Sequence, residues 1–363
     1  MKKVHKSLLA ISMLSLGVLA ACGNEAGTGN TEDLGSTTLE EIEEEAKKEG
    51  EINSVGMPDT WANWVETWDE LEQKYSLKQT DTDMSSAEEI AKFEAEKKDA
   101  SADIGDVGIA YGPIAEDKDL TLAYKTSYWD EIPDWAKDDN GDWIVGYTGT
   151  IAFLADKNNV DKIPTSWKEL LNSDYKVAVG DALTSNQAQF AILAAAYANG
   201  GDEKNIEPGI EYFAEIAKQG RLVSTDPDIA NLEKGEMDIA LLWDFNALGN
   251  RDKIDPNRFE VTIPSDASVV SGYTTIINKY AKNPHAAMLA REYILSDEGQ
   301  DNLAKGYARP IRENVKLSDE AKGKLLDAEL YKHARPVKDF EAWEKTTAQI
   351  PTLWKEKVLV HVK

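Results

Sequence analysis

The sequence predicts an α/β protein with a mainly parallel sheet, and two observations support this prediction. Short apolar runs alternate with amphipathic helical segments in both halves of the chain, a pattern typical of parallel strands joined by crossover helices. The chain has 363 residues with 42% hydrophobic and 29% charged content, which is normal for a globular protein with room for two lobes.

The elements follow one another in a regular order. In the first half we predict a helix over 38–50, a strand over 51–57, a helix over 59–75, a strand over 77–83, a helix over 85–98 and a strand over 102–110. Later in the chain we predict a strand over 175–181, a helix over 185–201, a strand over 237–244 and a helix over 283–296. Trp61, Trp64 and Trp68 have the spacing of one helical face, so Trp64 and Trp68 are expected in the core.

Two irregular stretches, 126–156 and 263–279, interrupt this alternation. We interpret them as places where the chain crosses from one lobe to another and returns. The predicted lobe 1 therefore consists of residues 38–146 and 271–363, and the predicted lobe 2 of residues 147–270.

The N-terminus predicts export. Three lysines precede an apolar run that ends at Ala21 and is shorter than the ~20 residues of a membrane-spanning helix. The only cysteine, Cys22, follows in "LAAC", which resembles a bacterial lipobox. The resemblance implies a signal peptide over 1–21, acylation of Cys22 and a flexible tether over 22–37. The alternative is an ordinary secretory signal followed by a chance cysteine.

The charge and the motif content exclude several function classes. The formal net charge of −26 at pH 7 disfavours binding to nucleic acid. The four histidines have no metal-ligand spacing, and nucleophile-elbow, zinc-protease and P-loop motifs are absent from the sequence. We therefore predict no metal, no cofactor and no catalytic residue.

Four segments resemble the extracellular solute-binding proteins of ABC importers, in the branch that binds polyamines, ferric iron, phosphonates and hexose phosphates. They are the lipobox with its tether, "SSAEEIAKFEAEKKDASADIGDVG", "EKGEMDIALLWDFNA" and "YAKNPHAAMLAREYILSDEGQDNLAKGYARPI". The resemblance implies a two-lobed periplasmic-binding-protein-like fold of type II, with a ligand cleft between lobes that are joined by two crossing strands. It also implies a small-molecule solute and a membrane-embedded permease as partners, and an extracytoplasmic protein anchored to the cell membrane through Cys22.

The candidate ligand contacts lie where strands end and helices begin. Ser85 and Ser86 open one helix, and Ser185, Asn186 and Gln187 open another, so their backbone N–H groups could bind an anion. The alternative for these residues is simple helix capping.

Further candidates follow the strands and the crossings. They are Asp59 and Trp61 after the first strand, Trp243 and Asp244 after a buried strand, Tyr147, Thr148 and Thr150 at the first crossing, Tyr273 at the second, and Arg309. Trp243 and Asp244 could instead be a core residue and a solvated carboxylate, and Arg309 could pair with a surface carboxylate. If Asp244 contacts the solute, its removal should weaken binding about tenfold with little loss of stability.

The sequence leaves the solute and part of the function open. No Tyr-Tyr pair occurs, which disfavours iron, whereas a phosphorylated sugar, a phosphonate or carboxylate, and a polyamine remain candidates. A surface glycan-binding adhesin would need an exposed aromatic patch on the protein surface. A lipid-anchored hydrolase would need a carboxylate pair at catalytic separation.

Overall fold

The computed structural model of the protein describes residue 34 and residues 37–362. The predicted signal peptide, Cys22 and most of the predicted tether lie outside the described residues. Within the described part of the chain, no helix is both long and apolar enough to cross a bilayer.

Lobe 1 begins with three parallel strands and the helices that cover them. Its first strands are β1 (Glu51–Val55), β2 (Lys78–Thr82) and β3 (Ile104–Gly108), and its first helices are α1 (Leu39–Glu49), α2 (Trp64–Tyr75), α3 (Ser86–Glu96) and α4 (Tyr111–Asp117). β1 pairs in parallel with both β2 and β3. α1 begins with a capping box between Thr38 and Glu41, and it ends at Gly50 in the left-handed region.

Two long strands join the lobes. β4 (Trp143–Asp156) and β9 (Ser268–Ile277) pair antiparallel, and Tyr147 lies opposite Tyr273. β9 also pairs with β3 of lobe 1, whereas the second half of β4 pairs with two strands of lobe 2. Every residue of β4 is buried, because the strand runs through both cores. The predicted crossings at Tyr147 and Tyr273 therefore belong to two adjacent strands.

Lobe 2 lies between these two strands in the sequence. Its strands are β5 (Val177–Ala178), β6 (Leu222–Val223), β7 (Ile239–Trp243) and β8 (Phe259–Thr262), and its helices are α5 (Trp167–Leu171), α6 (Asn186–Ala198), α7 (Glu207–Lys218), α8 (Ile229–Lys234) and α9 (Asp244–Ile254). β5 pairs in parallel with β6 and β7, while β7 and β8 flank the second half of β4.

The chain after β9 first returns to lobe 1. It forms α10 (Pro284–Leu295), α11 (Asp297–Lys305), β10 (Arg309–Pro310) and α12 (Asp319–Lys324), followed by β11 (Ala334–Arg335), α13 (Phe340–Thr347) and α14 (Ile350–Lys357). α10 packs on α1, and α12 packs on α11.

The last part of the chain departs from the predicted lobe boundary. β11 pairs with Ser268 and Val269, at the lobe 2 end of β9. Trp343 packs on Phe190 of α6, and Trp354 packs on Phe213 of α7, with ring centroids 5.2 and 5.5 Å apart. Residues 334–362 therefore cover lobe 2, and the assignment of the whole of 271–363 to lobe 1 is wrong for this segment. Its aromatic residues pack against buried residues of α6 and α7.

The start of α2 also differs from the prediction. The helix begins at Trp64, because Ala62 and Asn63 have φ values of +46° and +60° and cannot continue a right-handed helix. Trp64 and Trp68 are buried in the core as predicted. Trp61 lies in the preceding loop instead, where its ring reaches the space between the lobes.

Candidate functional site

Two adjoining cavities lie between the lobes. Cavity A has a volume of about 420 Å³ and is lined by Gly56, Pro58, Thr60, Trp61, Asp83, Met84, Ser85, Ser86, Ala87, Glu89, Asp106, Tyr111, Thr184, Ser185, Asn186 and Tyr273. Cavity B has a volume of about 760 Å³ and is lined by Trp61, Gly180, Asp181, Thr184, Ser185, Gln187, Asp226, Pro227, Asp228, Ile229, Ala230, Leu242, Asn246 and Asn250. The two cavities share Trp61, Thr184 and Ser185, so they form one continuous cleft.

Aromatic rings form the floor of this cleft. Tyr147 and Tyr273 stack with centroids 5.3 Å apart and an interplanar angle of 6°. Trp61 makes T-shaped contacts with Phe245 of lobe 2 and with Tyr273, with ring centroids 5.2 and 5.4 Å apart. The indole Nε1–H of Trp61 donates to the Tyr147 hydroxyl at 2.7 Å. Trp61 is therefore held in place by Tyr147, Phe245 and Tyr273, and it lines both cavities.

Two buried carboxyl groups line cavity A from lobe 1. Glu89 of α3 and Asp106 of β3 are only 1% and 3% exposed. The Tyr147 hydroxyl donates to Asp106 Oδ2 at 2.7 Å, whereas Asp106 Oδ1 and Glu89 Oε2 are buried without a hydrogen-bond partner among the described residues. Burial raises the pKa of Asp106 to about 8. Burial, together with the charge of Asp106, also raises the pKa of Glu89 well above its ordinary value.

The ionisable side chains that line the cleft are predominantly acidic. Six side chains that line cavities A and B carry carboxyl groups: Asp83, Glu89, Asp106, Asp181, Asp226 and Asp228. Among the described residues, no Lys, Arg or His lines either cavity. The cleft therefore presents carboxyl groups and aromatic faces to a solute without an internal counter-charge.

The N-termini of α3 and α6 meet across cavity A. Ser85 forms a capping box with Glu88, and the hydroxyl of Ser86 accepts a hydrogen bond from the backbone N–H of Gly108 at 3.0 Å. Ser185 caps α6 by accepting from the N–H of Ala188, and Asn186 follows it. Ser85, Ser86, Ser185 and Asn186 thus come together in one cavity, although the two helix starts are far apart in sequence.

Gln187, Trp243 and Asp244 lie close together on the lobe 2 side, and only Gln187 reaches the cleft. Gln187 lines cavity B, and its Oε1 accepts from the backbone N–H of Trp243 at 2.8 Å. Trp243 is buried against Phe190, with ring centroids 5.4 Å apart. Neither Trp243 nor Asp244 lines cavity A or B.

Asp244 uses its carboxylate within the protein. Oδ1 accepts from the backbone N–H groups of Thr150 and Phe245 at 2.8 and 3.0 Å, and Oδ2 accepts from the Tyr331 hydroxyl at 2.6 Å. The side chain is 1% exposed. Asp244 therefore connects the start of α9 to β4 and to Tyr331.

The other predicted contact residues lie at the edges of the cleft or behind it. Asp59 lines a neighbouring cavity of about 440 Å³, which shares Thr60 with cavity A. Thr148 and Thr150 are buried in β4, where Thr148 pairs with Arg309. The guanidinium of Arg309 stacks on the ring of Tyr331 at 3.8 Å and donates to the Leu326 carbonyl. Arg309 lines none of these three cavities.

The sequence prediction missed all six acidic residues that line the two cavities. A signal for Glu89 and Asp106 was nevertheless present in the sequence. Glu89 precedes Phe93 by four residues and so lies on the buried face of α3. Asp106 is a charged residue inside an otherwise apolar strand. Asp181, Asp226 and Asp228 lie in loops after β5 and β6. Aspartates are common in turns and at helix starts, so their position alone did not mark them as ligand contacts.

A separate cluster of carboxyl groups lies outside the cleft. Oxygen atoms of Glu116, Asp138 and Asp142 lie within 4.8 Å of one another. Asp138 Oδ2 accepts from three backbone N–H groups of its own loop, and Asp142 accepts from the Thr121 hydroxyl at 2.6 Å. These hydrogen bonds within the local turn account for the positions of Asp138 and Asp142.

Comparison with known proteins identifies the architecture and the family. Residues 102–345 match the family model of bacterial extracellular solute-binding proteins. The fold is similar to that of the periplasmic binding protein AfuA from Actinobacillus pleuropneumoniae, with a TM-score of 0.67 and 20% identity over 85% of this chain and 98% of that one. It is also similar to the spermidine/putrescine-binding protein PotD from Streptococcus pneumoniae, with a TM-score of 0.67 and 15% identity over 85% and 99% of the two chains. The predicted two-lobed fold is confirmed.

Curated relatives match a shorter part of the chain. The sulfate-binding protein of Salmonella typhimurium is 27% identical over 190 residues, which are 49% of this chain and 56% of that protein. The thiosulfate-binding protein of Pseudomonas aeruginosa is 25% identical over 173 residues, which are 45% and 51% of the two chains. The chain thus spans about half the length of the curated relatives it matches. The family model covers well over half of the chain, and the protein belongs to the bacterial extracellular solute-binding proteins.

Proposed function

We propose that this protein is the extracytoplasmic receptor of an ABC importer and that its cleft captures a small organic cation, an amine, for delivery to a membrane permease. The observation that carries the choice of solute is the buried pair Glu89 and Asp106, which lines the cleft without a cationic partner. Four further aspartates line the two cavities. An ammonium group would supply the missing positive charge.

The aromatic floor supports the same class of solute. Cations are attracted to the faces of aromatic rings, by about 0.5–2 kcal/mol depending on how well water is excluded. Trp61 lines both cavities, and Tyr273 and Tyr111 line cavity A. A flexible amine in the cleft would contact carboxyl groups with its nitrogen atoms and aromatic faces with its methylene groups.

An anionic solute is a second candidate, favoured by one observation. The N-termini of α3 and α6 both open into cavity A, and free backbone N–H groups with a favourable dipole attract anions. A phosphorylated or carboxylated compound would bind there. The six carboxyl groups of the two cavities oppose such a solute, so we place the amine first.

Thermal melts with a panel of solutes test this assignment. A ligand that binds only the folded state raises the melting temperature in proportion to the logarithm of its excess over Kd. We expect putrescine, spermidine or choline to raise the melting temperature, and sulfate and fructose 6-phosphate to leave it unchanged. A shift with the anions and none with the amines would replace our assignment by the second candidate.

Two other function classes receive less support. All ten tryptophans lie in the described part of the chain, and none of them is exposed, which disfavours an adhesin with a flat aromatic surface. The cleft does contain two carboxyl groups in one cavity, but the family to which the chain belongs consists of binding proteins. We therefore propose a receptor without catalysis of its own.

We further propose that an acylated Cys22 anchors the protein to the outer face of the cell membrane. Two or more acyl chains give stable anchoring, at about 0.8 kcal/mol per buried CH₂ group. Replacement of Cys22 by alanine is expected to release the protein into the medium or to leave it unprocessed in the membrane. Detergent-phase partitioning of both forms is the measurement, and unchanged partitioning of the variant would contradict the anchor.

A further inference from the structure

The carboxyl pair Glu89 and Asp106 is enclosed by groups that cannot neutralise it. Asp81 of β2 and Asp83 approach it with further negative charge, and Tyr147 and Tyr273 approach it with neutral hydroxyls. Tyr111 lines the same cavity. Burial raises the pKa of each of these tyrosines, so they remain protonated at neutral pH. Among the described residues, none that lines cavity A carries a positive charge.

The proton balance of this pair depends on whether the cleft is occupied. Ionising two neighbouring carboxyl groups in a site of low dielectric costs free energy. The pair therefore retains a proton at a pH at which isolated carboxyl groups have lost theirs. Burial raises the pKa values of both groups in the same direction. A cation within ~4–6 Å favours loss of this proton, because it lowers a carboxyl pKa by roughly 1–3 units.

We propose that the proton is a second ligand of this cleft, and that an organic cation and a proton compete for the pair Glu89 and Asp106. Capture of the cation then expels about one proton from cavity A. This inference rests on the proposed function, because only a positively charged solute displaces the proton.

The sign of the pH dependence follows from this competition. The empty cleft holds more protons than the occupied cleft, so acidification favours the empty cleft and alkalinisation favours capture. For one proton released, the affinity for the cation falls about tenfold for each pH unit of acidification over the range in which the pair titrates. The receptor would retain its solute at neutral pH and lose it as the surroundings become acidic.

Calorimetric titration with putrescine at pH 7 in two buffers of different ionisation enthalpy, PIPES and ACES, counts the protons directly. We expect a release of about one proton per putrescine bound by the wild-type protein. We also expect the apparent Kd to rise about tenfold between pH 7 and pH 6. If another amine of the melting panel binds more tightly, the same titration is made with that amine.

Variants show whether the released proton comes from the pair. The double variant Glu89→Gln and Asp106→Asn keeps the shape of the site but cannot ionise, so its residual binding should release no proton. The matched control Asp83→Asn removes one carboxyl group from the same cavity at an exposed position and should still release the proton. Thermal melts of both variants check that they fold.

The possible outcomes distinguish a failure of the proton competition from a failure of the proposed function. Binding of an amine without proton release by the wild-type protein would overturn the inference and leave the amine receptor intact. Undiminished proton release by the double variant would overturn it as well, because another group would then be the source. If no amine binds in either buffer, the proposed solute class fails, and the competition fails with it.

Discussion

Replacement of Trp61 by alanine is expected to weaken amine binding about 30- to 100-fold, which corresponds to about 2–3 kcal/mol. Trp61 is the aromatic residue that lines both cavities of the cleft. Its removal takes an aromatic ring away from both cavities and leaves space into which water can enter. Calorimetric titration of the variant with the most tightly bound amine of the panel is the measurement.

Trp129→Ala is the matched control for this prediction. Trp129 is half-buried like Trp61, but it lies outside the cleft between the amino groups of Lys125 and Lys137, at 4.9 and 4.6 Å from its ring. Its replacement should leave the affinity unchanged. Equal affinities of Trp61→Ala and the wild-type protein would show that the solute does not reach the centre of the cleft.

Replacement of Asp244 by alanine is expected to destabilise the fold by about 3–5 kcal/mol. The buried N–H groups of Thr150 and Phe245 would lose their common acceptor, and the Tyr331 hydroxyl would lose its partner. Denaturant unfolding of the variant measures this loss. The structure thus reverses the expectation from the sequence, which was weaker binding with little change in stability.

Two further variants serve as references for the stability and the binding of Asp244→Ala. Tyr331→Phe removes only one of the three hydrogen bonds and should cost about 1 kcal/mol. Asp226→Ala removes an exposed carboxylate of cavity B and should weaken amine binding without loss of stability. If Asp244→Ala unfolds at the wild-type denaturant concentration but binds the amine poorly, the sequence-based role is right and the structural role is wrong.

The local elements could be predicted because local signals determine them. The capping box at Thr38 and the glycine at position 50 are encoded within a few residues of the helix they bound. The start of α2 could not be predicted in this way. Backbone atoms of Ala62 lie 2.5 Å from the position that a Cβ on Gly306 would occupy. The left-handed conformation of Ala62 and Asn63 thus accompanies a close contact with a segment more than 200 residues away.

The candidate site could be predicted from the sequence only in part. Strand ends and helix starts meet in open α/β sheets, so Ser85, Ser86, Ser185 and Asn186 could be expected to converge. The same rule selected Asp244, whose carboxylate instead serves as a hydrogen-bond acceptor inside lobe 2. Sequence position shows where a side chain begins, whereas neighbours from distant strands decide whether it points towards the solute or away from it.

The return of residues 334–362 to lobe 2 has a consequence for dissecting the protein. Lobe 2 cannot be excised as the contiguous piece 147–270, because Trp343 and Trp354 would be missing from the faces of Phe190 and Phe213. A piece cut at these bounds would expose two aromatic surfaces and tend to aggregate. An autonomous lobe 2 requires the C-terminal helices to be grafted back, for example by a circular permutation that joins the end of the chain to residue 147 through a flexible linker.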